Sequence, residues 1–160
     1  MNAATVSKNG ACIAVISDTH GHLPDTIDRA ADKAEQIIHC GDIDHPAILM
    51  RLQQIAPVIA VRGNMDRAAA FPDLPTDEFI TIGKTTIYVR HDPDRIDLDP
   101  RAAGAQIVLH GHTHCPRREQ INGVLYLNPG SACWPRHGYP PSMALLRIQN
   151  DSIETRFIDL

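Results

Sequence analysis

From residue 11 onward, short apolar runs alternate with polar turns, and the type of run changes half-way along the chain. Residues 11–17 (ACIAVIS) are an unbroken apolar stretch. It is too short for an ordinary helix and rich in Ile and Val, which predicts a buried strand. Pro24 then opens a predicted helix of about ten residues through Ala34, with Asp25 in its first turn. Residues 36–39 form a second short strand, 46–54 a second helix and 57–61 a third strand. This β-α-β-α-β spacing predicts a parallel sheet.

After a loop at 68–76 the pattern turns to hairpins. Residues 78–82 and 85–90 flank Gly83-Lys84, 117–121 and 124–127 flank Asn122-Gly123, and 143–149 and 152–158 flank Asn150-Asp151. Residues 106–109 make one more buried strand between the first two hairpins. The segment 92–104 contains Pro93 and Pro100 and has room for at most a short helix. No repeat, low-complexity stretch or linker divides the chain. The expectation is a single domain over residues 1–160, with residues 1–10 polar and loose.

Composition narrows the classes. Apolar residues are 43% of the 160, which supports a substantial core, but aromatics are only 4%, so Ile, Val, Leu and Ala must build it. A net charge of −4, a pI near 6.1 and the absence of a basic run argue against a nucleic-acid surface. No apolar run approaches the 18 residues of a membrane span. The four cysteines form no C-x-x-C pair and follow no secretory h-region, so the reading is a cytoplasmic protein with reduced thiols; Cys12 and Cys40 lie in or beside apolar runs and read as buried.

The polar residues at the strand ends carry the chemistry. The strand at 106–109 runs into His110-Gly111-His112-Thr113-His114. Imidazoles are poor core residues and good metal ligands. Gly111 lets the backbone bend so that rings converge. Asp18 and His20 follow the first strand, Asp42 the second, Asn64 the third and His91 the strand at 85–90. Each alone reads as an ordinary turn or surface residue. Five strand ends in succession offering only O and N donors do not. Open α/β sheets place ligands at these carboxyl ends. Two carboxylates, one amide and four imidazoles suit two divalent metals with one bridging carboxylate. Mn²⁺ leads, with Fe, Zn²⁺, Ni²⁺ and Mg²⁺ as alternatives. Two metals roughly 3.5–4 Å apart can each bind a phosphoryl oxygen and hold a hydroxide between them. They would also make the pocket of an acidic protein positive and attract phosphate.

The motifs S-D-T-H-G at 17–21, G-D at 41–42, G-N-x-D at 63–66, G-H-T-H at 111–114 and N-P-G-S at 128–131 resemble, in order and spacing, those of calcineurin-like metallophosphoesterases. More narrowly, the chain resembles their compact bacterial and archaeal phosphodiesterase branch, over residues 11–158. The resemblance implies a four-layer α-β-β-α sandwich of two mixed sheets. It implies that Asp18, His20 and His114 bind a first metal, that Asn64, His91 and His112 bind a second, and that Asp42 bridges them. The implied activity is hydrolysis of a small phosphodiester by the bridging hydroxide, with Asn64 and Asp42 in catalytic positions and His22 a candidate for the leaving group.

The chain departs from the family pattern at two places. His91 is followed by Asp92 where the family usually has Gly, which puts the local backbone in question and adds negative charge. The interval from His91 to His112 is short, so a family helix is reduced there. Larger branches carry Gly-Asn-His-Glu where this chain has Gly63-Asn64-Met65-Asp66. Without that histidine, acid catalysis weakens by roughly 10²–10⁴-fold and good leaving groups are favoured. Asp66 is a candidate for fixing a ligand histidine, and Arg62 and Arg136 for pairing with phosphate. Two other readings stay open: a phosphomonoesterase, and a scaffold for protein partners like the family's small retromer-coat subunit. Apolar strand edges and the loop at 134–139 leave self-association into a homo-oligomer open.

Overall fold

The computed structural model describes residues 4–6, 10–150 and 152–160. In chain order the elements are β1 (Ala4–Val6), β2 (Gly10–Ile16), α1 (Ile27–Ala30), β3 (Gln36–His39), α2 (Pro46–Leu52), β4 (Val58–Ala60), β5 (Asp77–Ile82), β6 (Thr85–Arg90), a 3₁₀ turn (Pro93–Arg95), β7 (Ile107–Leu109), β8 (Pro116–Ile121), β9 (Val124–Pro129), β10 (Ser142–Gln149) and β11 (Ser152–Asp159). Two mixed sheets result. One runs β11-β10-β2-β3-β4 and the other β1-β5-β6-β7-β9-β8. The predicted parallel unit is present as β2, β3 and β4, and the three predicted hairpins pair antiparallel.

Side-chain alternation explains the unbroken apolar runs. Along β2, Ile13 and Val15 face the second sheet, while Ala14 and Ile16 face outward beneath Ile27, Ile48 and Leu52 of the helices. A strand covered on both sides needs apolar residues at every position. The main core lies between the sheets, where Ile13, Val15 and Ile38 meet Ile80, Ile87, Ile107, Leu125 and Leu127.

The two mixed sheets are as expected, and the details differ at several places. The first helix is four residues rather than about ten. It buries little beyond Ile27 and Ala31, and Thr26 makes no side-chain cap bond, so little holds a longer helix together. The helix expected to be reduced at 92–104 is a 3₁₀ turn among the described residues, and with irregular chain through Ile96, Leu98 and Ala105 it covers Tyr88, Val108 and Val124 as the fourth layer. Within the segment expected to be loose, Ala4–Val6 pairs in parallel with β5, and the rest of residues 1–9 lies outside the described residues. Of the edge strands, β8 and β11 carry charge at Arg117, Arg118 and Glu119 and at Glu154 and Arg156, whereas β4 is apolar throughout as expected. Charged edges oppose strand addition. Cys40 is buried as expected, but Cys12 is only half-buried. No described helix is long and apolar enough to cross a membrane.

Candidate metal centre

The loops after β2, β3, β4, β6 and β7 meet at one end of the two sheets, and all seven predicted donors lie on them. The backbone there is held in an uncommon shape. Asp18, His20, Asp42, His112 and His114 all have positive φ, between 46° and 72°. Asp and His visit this left-handed region more readily than other residues with a Cβ. Five such residues in one cluster still mark stored strain, which persists only where the surroundings enforce it.

Hydrogen bonds supply that enforcement. The Asp18 N–H donates to the Gly41 carbonyl, and the His20 N–H donates to the Asp42 carbonyl, at 3.0 Å each. The His112 N–H donates to Asp18 Oδ2 at 3.2 Å and ties one sheet to the other. Asn128 Nδ2 donates to the Gly111 carbonyl and to Thr113 Oγ1. Ser131 Oγ donates to the Asp18 carbonyl at 2.7 Å and accepts the Trp134 N–H. The N-P-G-S motif therefore locks two ligand loops, and the end of β9 runs through it.

Asp66 is neither a histidine partner nor a surface turn residue. It is buried, and its carboxylate accepts the backbone N–H groups of Ile43, Asp44 and Gly63, each at 2.8 Å. It joins the loops after β3 and β4. Gly111 differs from expectation too. Its φ is not positive; its missing side chain is what matters, because a Cβ would lie 1.9 Å from Ser17 Oγ and 2.7 Å from Asp18 Oδ2.

Two groups of donor atoms result. Asp18, His20 and His114 form one, and Asp18, Asp42 and His91 the other. His114 Nε2 is 3.3 Å from Asp18 Oδ1 and 3.3 Å from His20 Nε2. His91 Nε2 is 3.3 Å from Asp42 Oδ2 and 3.9 Å from Asp18 Oδ1. Asn64 and His112 stand at the margin, half-buried or exposed, with Asn64 Oδ1 and His112 Nδ1 at 3.0 Å. His22 is exposed; its Nδ1 donates to the His20 carbonyl at 2.9 Å, and its ring meets Trp134 edge-on.

The opposite nitrogen of each inner ring shows what the group fits. His20 Nδ1 faces Asp44 Oδ2 at 3.1 Å, His91 Nδ1 faces the Cys40 carbonyl at 2.8 Å and His114 Nδ1 faces the Trp134 carbonyl. Carbonyls and carboxylates only accept, so each Nδ1 carries the hydrogen and each neutral ring turns a bare Nε2 lone pair inward. Those lone pairs converge on carboxylate oxygens. Asp18 Oδ1 and His91 Nε2 are buried with no hydrogen-bond partner. A cluster made only of acceptors is repulsive until a proton or a cation enters it, and this donor set fits divalent cations.

The electrostatics agree. Burial opposes protonation of His91, but the facing Asp42 and Asp18 carboxylates outweigh it and raise its pKa. The Asp18 contact raises that of His114 against its burial. Burial would raise Asp42, yet His91 and the Met65 N–H hold its carboxyl below the usual range. His39, just behind the centre, is different. It is buried, pushed down to about 3, and neutral: it accepts the Gly41 N–H at Nδ1 and donates from Nε2 to Thr19 Oγ1.

Asp92 settles the departure at the family glycine. Its φ is −100°, an ordinary extended value, and its carboxylate caps the 3₁₀ turn through the Asp94 N–H while pairing with Arg95 Nε at 3.3 Å. Sequence reasoning missed Asp44 and the Trp134 carbonyl, which orient His20 and His114. Neither has a motif: one is an exposed aspartate in a loop and the other a main-chain oxygen.

The profile of the calcineurin-like phosphoesterase superfamily domain matches residues 12–151. The chain belongs to this superfamily. Among its relatives is a probable metallophosphoesterase of Methanothermobacter thermautotrophicus, 33% identical over 158 residues, covering 91% of each chain. The phosphodiesterase YfcE of Escherichia coli is 30% identical over 158 residues, covering 81% of this chain and 84% of its own. Among solved structures, vacuolar protein sorting 29 of Cryptosporidium parvum superposes with a TM-score of 0.81 at 26% identity, covering 94% of this chain and 92% of its own. The superfamily thus includes proteins named for phosphodiester hydrolysis and one named for sorting, on the same two-sheet frame.

Proposed function

We propose that this chain is a metal-dependent phosphodiesterase working with two divalent cations, Mn²⁺ first among them. Asp18, His20 and His114 hold one, Asn64, His91 and His112 the other, and Asp42 is shared. The observation that carries the reading is the convergence of bare Nε2 lone pairs and carboxylate oxygens at 3.3–3.9 Å, with Asp18 Oδ1 and His91 Nε2 unpartnered. Cations there supply charge neutralisation for phosphoryl oxygens and lower the pKa of a water to near neutrality.

The chain's own residues do the rest. Asp44, the Cys40 carbonyl and the Trp134 carbonyl fix the rings, so the donors are in place before substrate arrives. The Asn64 side chain turns its oxygen to His112, and its amide hydrogens are available to a substrate oxygen. His22, exposed beside Trp134, supplies a proton to the departing alcohol. With Met65 at the position of the larger branches' motif histidine, no second imidazole helps, so activated diesters turn over best.

The test is hydrolysis of bis-p-nitrophenyl phosphate beside p-nitrophenyl phosphate, using metal-stripped protein with and without Mn²⁺. Metal-dependent diester cleavage that is lost in Asp42→Ala is expected. Monoester preference would make the chain a phosphatase, and activity surviving Asp42→Ala would end the two-cation scheme. A protein that binds two cations and cleaves neither ester would return the scaffold reading, which the resemblance to a sorting protein keeps in view.

A further inference from the structure

An open cavity of about 390 Å³ adjoins the candidate centre on the side of Asn64 and His91. Three arginines line it. Arg62 comes from the end of β4, Arg90 from the end of β6 and Arg95 from the 3₁₀ turn. Two are already matched: Arg90 pairs with Asp77 at 3.2 Å and Arg95 with Asp92 at 3.3 Å. Arg62 has no carboxylate partner among the described residues, and its Nε is buried without a hydrogen-bond partner. Its backbone N–H is held by the Pro75 carbonyl, so the start of the side chain is fixed at the cavity wall. Thr76 lines the same wall. The cavity therefore carries one uncompensated, partly desolvated guanidinium beside the place where a phosphodiester would be cleaved.

A guanidinium in this state recognises phosphate through charge-assisted, often paired hydrogen bonds. Of the seven donors only Asn64 and His91 reach the cavity wall, while Asp18, His20, Asp42, His112 and His114 do not line it, so an anion seated on Arg62 lies to one side of the main donor cluster. We infer that the Arg62 cavity is a second anion subsite, and that the substrate class is an organic phosphodiester bearing a further phosphate on the part of the molecule that lies over Asn64 and His91. This deepens the phosphodiesterase reading and rests on it. The carboxylates on Arg90 and Arg95 keep the cavity from being a general anion trap. They leave a net attraction centred on Arg62, sufficient for one additional phosphate.

The experiment compares two chromogenic esters that differ only by that phosphate: thymidine 5′-(p-nitrophenyl phosphate), and the same ester with a 3′-phosphate. The ratio of their kcat/KM values is measured with the Mn²⁺-loaded full chain. A ratio of about tenfold in favour of the 3′-phosphorylated ester is expected, the size of one charge-assisted contact. In Arg62→Gln the ratio falls to near one, and in Arg62→Lys, which keeps the charge and loses the paired geometry, it is intermediate. In the unaltered protein the ratio shrinks as ionic strength rises, a readout that needs no variant. Equal values for the two esters, or a preference that survives Arg62→Gln, would overturn the subsite. Loss of turnover in equal proportion for both esters would place Arg62 on the scissile phosphate and overturn it as well. If neither ester is cleaved, the hydrolase reading has failed, and calorimetry then decides the subsite separately: thymidine 3′,5′-bisphosphate must bind more tightly than thymidine 5′-phosphate, with the difference absent in Arg62→Gln, and equal affinities reject it.

Discussion

His39 shows how much one buried side chain decides. It sits at the end of β3, three residues before Asp42. Its ring faces Thr19 and the Gly41 N–H, and burial holds it neutral down to about pH 3. The unfolded chain takes a proton at an ordinary histidine value of 6.5, while the folded chain refuses it. Its contribution is therefore lost as pH falls from 6.5 toward 3, at up to about 1.4 kcal/mol per pH unit. His39→Gln, which can keep part of the hydrogen bonding, should flatten the acid side of the stability profile, as read from urea midpoints across that window. An unchanged acid slope in the variant would show that His39 does not set it. At this scale the sequence was informative about which residues carry donors. It was silent about which nitrogen each ring turns inward, because that depends on main-chain carbonyls such as those of Cys40 and Trp134.

The loops after the strands are the elements that matter most, and Asp66 is what makes two of them one unit. Its carboxylate takes three backbone donors from opposite sides, Ile43 and Asp44 on one loop and Gly63 on the other. Removing it strands the buried Ile43 N–H and takes the acceptor from the part-buried Asp44 and Gly63 N–H groups. Asp66→Ala should cost on the order of 3 kcal/mol of stability and weaken metal binding by roughly 10–100-fold, although Asp66 belongs to neither donor group. Denaturant melts and a metal titration would check both; loss of stability with full metal affinity would mean that the loops hold their shape separately. The parallel unit β2-β3-β4 and the three hairpins were legible from apolar runs and Asn-Gly, Gly-Lys and Asn-Asp turns. The first helix was not. Pro24 and Asp25 are good opening signals, but the alanines that follow bury too little surface to sustain ten residues. The role of Asp66 was also hidden, since two of its three partners are backbone groups more than twenty residues away.

Across the whole molecule, the donors divide between the sheets. Asp18, His20, Asp42 and Asn64 follow strands of one sheet, and His91, His112 and His114 follow strands of the other. A cation held among them joins the two halves, so it stabilises the folded chain and not the unfolded one, by about 2.7 kcal/mol at a hundredfold excess over Kd. Protons compete with it. Without metal, the raised pKa values of His91 and His114 add stability that is full below 6.5 and lost as pH rises through the folded values. A cation bound as proposed would need those rings neutral. The rise in melting temperature on adding Mn²⁺ should therefore grow as pH increases from 6.5 through mildly alkaline values, and chelator should abolish it. A metal-induced rise that stays constant across this range would show that neither histidine is a ligand.

The left-handed backbone at five of the donor residues has one more consequence. Strain held by hydrogen bonds to Gly41, Asn128 and Ser131 does not relax when a cation departs, because none of those bonds involves the cation. The vacated donors stay where they were. A centre loaded as proposed would trade one ion for another without being rebuilt, and its resident would then be chosen by the supply of ions around it as much as by its own preference.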